Sequence, residues 1–199
     1  MKLVKIFAVL SVLYFGIGIA FSQAPTQRYE IYTNTKDAGI FPIPLDENGV
    51  ANLVHDSNTE FTLEKLNVDF RLNWRKTAEI ERNLDFVRHS YDGKYISLLF
   101  SRFKTNYYLV FRFDVSTGNF QRYEIYSVDR MEISNFEVLN NSIFIGGVVH
   151  DQPVILFTDL NMKKTFLLPS VVKRNAEIQS MELEKFQHLL YLYKSHSVG

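Results

Sequence analysis

Two dipeptides carry the residue types best suited to chemistry. His55-Asp56 sits in NLVHDSN and His150-Asp151 in GVVHDQP, 95 residues apart. Each pairs an imidazole with a carboxylate, and together they offer four donors of the kind that ligate divalent metals. The same residues also suit plain hairpin turns, because Asp accepts hydrogen bonds from its own backbone. One shared ion would need every donor within ~2 Å of it. Two separate turns meet that condition only in a small ring. No resident metal or cofactor is therefore expected, and His55, Asp56, His150 and Asp151 stand as candidate ligand-binding positions. Tyr91 and Tyr107 join them. They lie at strand ends within a run rich in aromatics, Tyr91, Tyr95, Phe100, Phe103, Tyr107, Tyr108, Phe111 and Phe113. Such rings stack on sugars or fill a core, and most of this run is expected to fill the core.

Asp69, Asp114 and Asp159 recur at intervals of 45 and 45. A carboxylate that returns at every turn reads as a structural device, an Asx-turn acceptor, rather than a catalytic set. The sequence has no G-x-S-x-G elbow, no H-E-x-x-H and, beyond the N-terminal leader, no phosphate-cradling glycine loop. It has no cysteine, which excludes disulfides, thiol catalysis and zinc–thiolate sites. No catalytic constellation is legible, so a binding or scaffold module is the first functional reading.

The elements that must position these residues are strands. Segments 95–100, 107–111, 142–145 and 154–157 are short, β-branched or aromatic, and bounded by turn residues. Several are apolar without alternation, as strands buried on both faces are. Glu47-Asn48-Gly49, Asp92-Gly93-Lys94, Asn140-Asn141-Ser142 and Glu184-Lys185 separate strand-like runs, and their chemistry fits tight turns. A further series, Phe41, Phe86, Phe136 and Met181, is spaced 45, 50 and 45. Trp74 is expected to pack between sheets, and Gly146-Gly147 to mark a bulge or a close approach.

Four short strands per period of about 45 residues predict a β-propeller. The expected fold is all-β, with four-stranded antiparallel blades at 39–80, 84–126 and 132–169. A fourth begins near 176 and holds two strands, so the propeller is incomplete. The hexapeptide QRYEIY occurs at 27–32 and again at 121–126. It reads as the outer strand of a blade, two blades apart. An unpaired edge at 189–193 would favour edge-to-edge self-association.

One hairpin resembles a known family. His89-Ser90-Tyr91-Asp92-Gly93-Lys94-Tyr95-Ile96 is similar to the "SPDGKYI" hairpin of TolB-type and related WD40-like propellers of exported bacterial proteins, with Tyr91 in place of the proline. The resemblance covers about eight residues. It implies the fold and leaves activity open, because propellers host enzymes, binding platforms and scaffolds alike.

The N-terminus predicts the compartment. Lys2 and Lys5 precede a stretch from Ile6 to Phe21 of 16 residues without a charge, and Ala20-Phe21-Ser22 offers small residues at cleavage spacing. This is the pattern of a secretory signal peptide over 1–22, with 23–199 as the mature domain. A stretch of that length is short for a membrane span, which needs about 20 apolar residues. Cleavage leaves no stable span and removes two of 22 basic residues, so the mature chain carries 20 basic and 22 acidic residues. No basic patch marks a nucleic-acid partner. The expected protein is periplasmic, cell-surface or extracellular, and binds a protein or carbohydrate ligand. The alternative is the propeller portion of an exported hydrolase or lyase whose catalytic residues lie outside this chain.

Overall fold

The computed structural model describes residues 28–33, 35, 37–55, 57–169, 176–183 and 189–195, with backbone alone at 169, 176–183 and 189–195. The expected leader, Asp56 and the expected turn at Glu184-Lys185 lie outside the described residues. The chain divides into two compact units, 1–31 and 32–199. Every strand assigned among the described residues lies in the second unit. Among the described residues no helix is long and apolar enough to cross a membrane.

The fold is all-β and antiparallel. β1 (Gly39–Pro44), β2 (Val50–His55), β3 (Glu60–Leu66) and β4 (Leu72–Glu79) form a four-stranded meander. β5 (Asp85–Tyr91), β6 (Tyr95–Ser101), β7 (Thr105–Asp114), β8 (Phe120–Leu139), β9 (Ser142–Val149), β10 (Gln152–Asp159) and β11 (Lys164–Pro169) form a second sheet in sequential order. β12 (Ala176–Leu183) pairs with β13 (Leu189–Ser195). Apart from β8, the strands fall within the spans expected from the repeat. Phe41, Phe86, Phe136 and Met181 fall on β1, β5, the second half of β8, and β12.

The boundary between the second and third spans differs from expectation. No loop separates them. β8 runs through 20 residues. Its first part, from Phe120 to Tyr126, pairs with β7, and its second, from Glu132 to Leu139, pairs with β9. The intervening Ser127, Val128, Asp129 and Arg130 include neither Gly nor Pro, so nothing breaks the strand. They bulge outward instead. β7 shifts register between Thr105 and Tyr107 to rejoin at Met131, and Val128 is 93% exposed.

The two copies of QRYEIY also part company. The second lies in β8, whereas residues 28–32 of the first carry no strand assignment. The second copy is a strand because β7 pairs with it, which is a tertiary cause rather than a local one.

Two cores explain the apolar strands. Leu53, Phe61 and Leu63 of the first sheet pack against Ile96, Leu98, Phe100, Phe111 and Phe113. The opposite face of β6 and β7, with Leu99, Tyr108 and Val110, packs against Phe136, Val138, Ile143, Ile145 and Leu156. β6 and β7 are thus buried on both faces, as their continuous hydrophobicity predicts. Each fully buried large side chain contributes about 1.5–3 kcal/mol relative to exposure.

Contacts between first strands link the successive groups. The rings of Phe41 and Phe86 lie 5.0 Å apart. The Ser90 hydroxyl donates to Glu137 at 2.9 Å and accepts from the Val138 amide at 3.1 Å. β12 lies alongside β8. Gly147 permits a further close approach, since a Cβ there would sit 2.3 Å from the Glu132 carbonyl. The β8 ladder shifts register between Ile133 and Asn135, opposite this glycine pair.

The turns follow the expected chemistry with one correction. Asp114 Oδ1 accepts the amides of Ser116 at 3.0 Å and Thr117 at 2.9 Å, and Asp159 Oδ1 those of Asn161 at 2.8 Å and Met162 at 3.0 Å. In the first sheet the acceptor is Asn67, not Asp69. Asn67 Oδ1 takes the amides of Asp69 at 3.0 Å and Arg71 at 2.9 Å. Either side chain closes an Asx-turn, so regular spacing selected the wrong one.

Candidate functional site

The candidate residues of the sequence do not converge on one centre. His55 closes β2, and its Nε2 is buried without a hydrogen-bond partner, beside Phe100 at 6.1 Å between ring centroids. His150 and Asp151 form the two-residue turn between β9 and β10, with φ of 48° and 61°. Both are exposed. Two consecutive positive φ values mark the hairpin turn that Asn, Asp and Gly favour. Among the described residues no group of three or more His, Asp or Glu side chains converges as a metal site would require.

Tyr91 and Tyr107 lie in separate places. The Tyr91 hydroxyl accepts from Asn48 Nδ2 at 2.8 Å and donates to the Gly93 carbonyl at 3.2 Å. It ties the β1–β2 turn to the β5–β6 turn. Tyr107 packs on Tyr126 at 5.1 Å, and its hydroxyl lies beside Arg122 and Glu81. Arg122 in turn pairs with Glu81 and with Glu124. Burial pushes the Tyr107 phenol up to about 12, and the hydrogen bond to Arg122 opposes the shift. This cluster binds the linker after β4 to the outer part of the second sheet.

A different constellation forms where the β5–β6, β8–β9 and β10–β11 turns meet. Asp92 Oδ1 is committed to its own turn, accepting the amides of Lys94 at 3.0 Å and Tyr95 at 2.7 Å. Its Oδ2 faces Arg112 at 3.3 Å. The Arg112 side chain is only 6% exposed and lies 3.9 Å over the Tyr95 ring, a favourable cation–π stack. Arg112 Nη1 donates to Asn141 Oδ1 at 3.4 Å, and Asn141 Nδ2 donates to Asn161 Oδ1 at 3.1 Å. One polar chain, Asp92–Arg112–Asn141–Asn161, thus crosses from the first half of the large sheet to the second.

One hollow opens on this chain and another beside it. One of about 430 Å³ is lined by Asp92, Lys94, Tyr95, Arg112, Asn140 and Asn141. The other, of about 610 Å³, is lined by residues including Gln121, Tyr123, Thr158 and Lys163. Tyr123 joins them, because Arg112 lies beside its hydroxyl. Burial raises the Tyr123 phenol, and Arg112 acts in the opposite direction. Beneath, Ser97 pairs in register with Arg112. Ser97 Oγ and Arg112 Nε are both buried and have no hydrogen-bond partner.

Sequence reasoning passed over Arg112. The available cue is a lone charge inside the apolar run YYLVFRF. The matching turn-relative positions hold Lys65 in the first sheet and Phe157 in the third span. The arginine with its aspartate and tyrosine therefore belongs to one inter-sheet space and is not a copy of the repeat.

No family model and no curated protein matches the sequence. Solved structures with partial similarity include a variant of Synechocystis apocarotenoid oxygenase, at 10% identity and a TM-score of 0.43 over 60% of this chain and 34% of that one. A second variant of that enzyme aligns at 11% identity and a TM-score of 0.45 over 71% of this chain and 39% of that one. A chimera of the enzyme with RPE65 aligns at 11% identity and a TM-score of 0.42, covering 60% and 35%. The chain thus spans well under half the length of each of these structures.

Proposed function

We propose that the chain is an exported module of the β-propeller type that binds a ligand at the turn end carrying Asp92, Lys94, Asn140 and Asn141. In this reading β1–β4 form one blade. β5–β7 with the first half of β8 form the next, and the second half of β8 with β9–β11 form the third. β12 and β13 belong to a fourth. Contacts between successive first strands support that order, since the innermost strands of neighbouring blades meet in a propeller. The leader-like N-terminus supports export, and the TolB-like hairpin fits the same class.

The observation that carries the binding reading is the polar chain Asp92–Arg112–Asn141–Asn161, which joins turns of two blades around a hollow of about 430 Å³. Ligand sites are concave, with few, convergent polar groups. Protein and carbohydrate ligands are the partner classes, with no nucleic acid. The test is thermal stabilisation of the purified chain by a panel of neutral and acidic oligosaccharides and short peptides. A stabilising compound whose effect is lost in Asn140→Ala supports the reading. An absence of stabilising compounds defeats it, as does one indifferent to substitution at this end.

A second reading makes the chain the propeller portion of an exported hydrolase or lyase. It is favoured by the two-stranded pairing of β12 with β13 among the described residues, beside sheets of four and seven strands. A nucleophile elbow encoded in frame after codon 199 would support it.

A further inference from the structure

β9 and β10 send alternate side chains to opposite faces of the sheet. Ile143, Ile145 and Leu156 enter the second core, which leaves Phe144 and Phe157 on the other face. Phe157 stands directly opposite Phe144 on β9 and Phe166 on β11. The rings form a row, with centroids 5.1 Å and 6.1 Å apart and planes inclined by 39° and 23°. Neither core includes them. Contiguous apolar surface of this kind marks a place where something binds.

Phe144 and Phe157 line a hollow of about 500 Å³. The β8–β9 turn region adds Asn140, Asn141 and Ser142 to its wall, and the β10–β11 turn region adds Asp159 and Asn161. Asn161 commits its Oδ1 to Asn141 Nδ2 at 3.1 Å, so its own Nδ2 is left to donate. Asp159 commits Oδ1 to the amides of Asn161 and Met162, so Oδ2 is left to accept. Asn161 is exposed and Asp159 half-buried, and neither atom is sealed from water without a partner. A hydroxyl both donates and accepts. Neighbouring hydroxyls on one ligand therefore suit this carboxylate oxygen and this amide together.

Charge and shape narrow the ligand further. Among the described residues Asp159 is the one charged side chain that lines this hollow. An anionic ligand would be repelled by it. A cation would be drawn to a carboxylate and to ring faces. However, the side-chain oxygens of Asn141 and Asn161 are already taken. Both amides present donors, which a cation cannot accept. The rings also form a shelf on one sheet face instead of a cage. A neutral sugar meets all these conditions. Its C–H face packs on the electron-rich ring faces, and its hydroxyls reach the polar wall.

We propose that the hollow at Phe144 and Phe157 binds a neutral sugar, with the two rings as its shelf, Asp159 Oδ2 as hydroxyl acceptor and Asn161 Nδ2 as donor. This rests on the reading of the turn end as a ligand face. It seats the ligand on the Phe144 side of Asn140 and Asn141 and narrows its class to uncharged carbohydrate.

The experiment is calorimetric titration of the purified full chain with neutral trisaccharides of glucose, galactose, mannose and N-acetylglucosamine. Trigalacturonate and choline serve as the charged probes. The expected result is saturable binding of a neutral trisaccharide, about tenfold or more tighter than either charged probe. Asp159→Asn keeps the turn, because Asn67 closes the turn of the first sheet with an amide oxygen. It should weaken the sugar about tenfold at an unchanged melting temperature. Phe144→Leu keeps an apolar side chain, removes a ring face, and should weaken it by a similar factor. Trigalacturonate or choline binding as tightly as the best neutral sugar would overturn the assignment. Sugar binding lost in Asn140→Ala but indifferent to Asp159→Asn and Phe144→Leu would overturn it too, and would leave the binding face standing on its Asp92 side. Silence from every neutral trisaccharide, in a chain that a short peptide stabilises, would overturn the assignment alone. Silence from every compound would take the binding face with it.

Discussion

The indole N–H of Trp74 donates to the carbonyl of Val115 at 2.9 Å, across 41 residues of sequence. The indole also lies parallel to the Phe113 ring, 6.2 Å away at an interplanar angle of 8°. Trp74 is on β4, the outer strand of the first sheet, and Val115 opens the turn between β7 and β8. One side chain therefore ties β4 to the β7–β8 turn of the large sheet, while Phe41 and Phe86 join β1 to β5.

Substitution at this contact should be felt in stability. Trp74→Phe keeps a ring and loses the hydrogen bond, at a cost of about 1 kcal/mol. Gly118→Ala should cost more, ~1–3 kcal/mol, for two reasons. Gly118 has a φ of 70°, and its Cβ would fall 2.7 Å from the indole. Urea melts of the two variants give the comparison. A neutral Gly118→Ala would mean that the indole is not held against this turn.

The strand pattern was legible in the sequence because burial on both faces leaves a direct mark. β6 and β7 are apolar without alternation, and both cores draw on them. The turns at Asp92, Asp114 and Asp159 were legible because a carboxylate after a strand closes its own turn. Asn67 was missed because amide and carboxylate do this equally well, so the regular interval pointed to Asp69. The first QRYEIY was misread because a strand needs a partner, and identical residues cannot reveal whether one is present. The Arg112 constellation was hidden for a related reason. Asp92, Arg112 and Asn141 are far apart in sequence and meet only through the fold of the sheet around β8. His150 and Asp151 looked chemical but serve as turn residues, since the backbone there requires positive φ twice.

Asp114 should contribute to acid stability. Hydrogen bonds from Ser116 and then Thr117 hold its carboxyl below the usual carboxylate range. The folded value lies beneath the unfolded one, so the contribution is full above about pH 4. It disappears as the pH falls through the folded value. Asp114→Ala should lower stability at neutral pH by roughly 1 kcal/mol. It should also flatten the decline of melting temperature between neutral pH and pH 3 relative to the unmodified chain. Parallel declines in the two proteins would show that Asp114 has no special share in acid unfolding.

Tyr107 should act at the opposite end of the pH scale. Its phenol is pushed up to about 12, chiefly by burial, with Glu81 and Glu124 adding to the shift and Arg122 opposing it. The folded value lies above the unfolded value of about 10. Its stabilising contribution is therefore complete below pH 10 and is lost as the pH rises towards 12. Ultraviolet titration should show a phenol ionising late, and Tyr107→Phe should remove one such phenol from the end of the curve. An unchanged alkaline end in the variant would place the Tyr107 hydroxyl in water.

The last prediction concerns β11, the edge of the large sheet. Among the described residues β11 pairs with β10 on one side only. Phe166, Leu167 and Leu168 on this strand are 43%, 46% and 38% exposed. An apolar strand with an open row of backbone groups is a template for pairing with another chain. Proteins that remain monomeric usually blunt such an edge with charge or proline. Here Lys164 and Pro169 guard only the two ends of the strand, and three of the four residues between are apolar. Among the described residues β13 pairs with β12 alone, and β11 adds a second candidate edge at 164–169 to the one expected at 189–193. The purified chain should therefore associate with rising concentration, as read by light scattering. Replacing Leu167 and Leu168 with Lys places one charge on each face of the edge. The double variant should scatter as a monomer at concentrations where the unmodified chain does not, with the fold retained by circular dichroism. Persistent association of that variant would move the self-association surface away from β11, and the β12–β13 pair would be the next edge to charge.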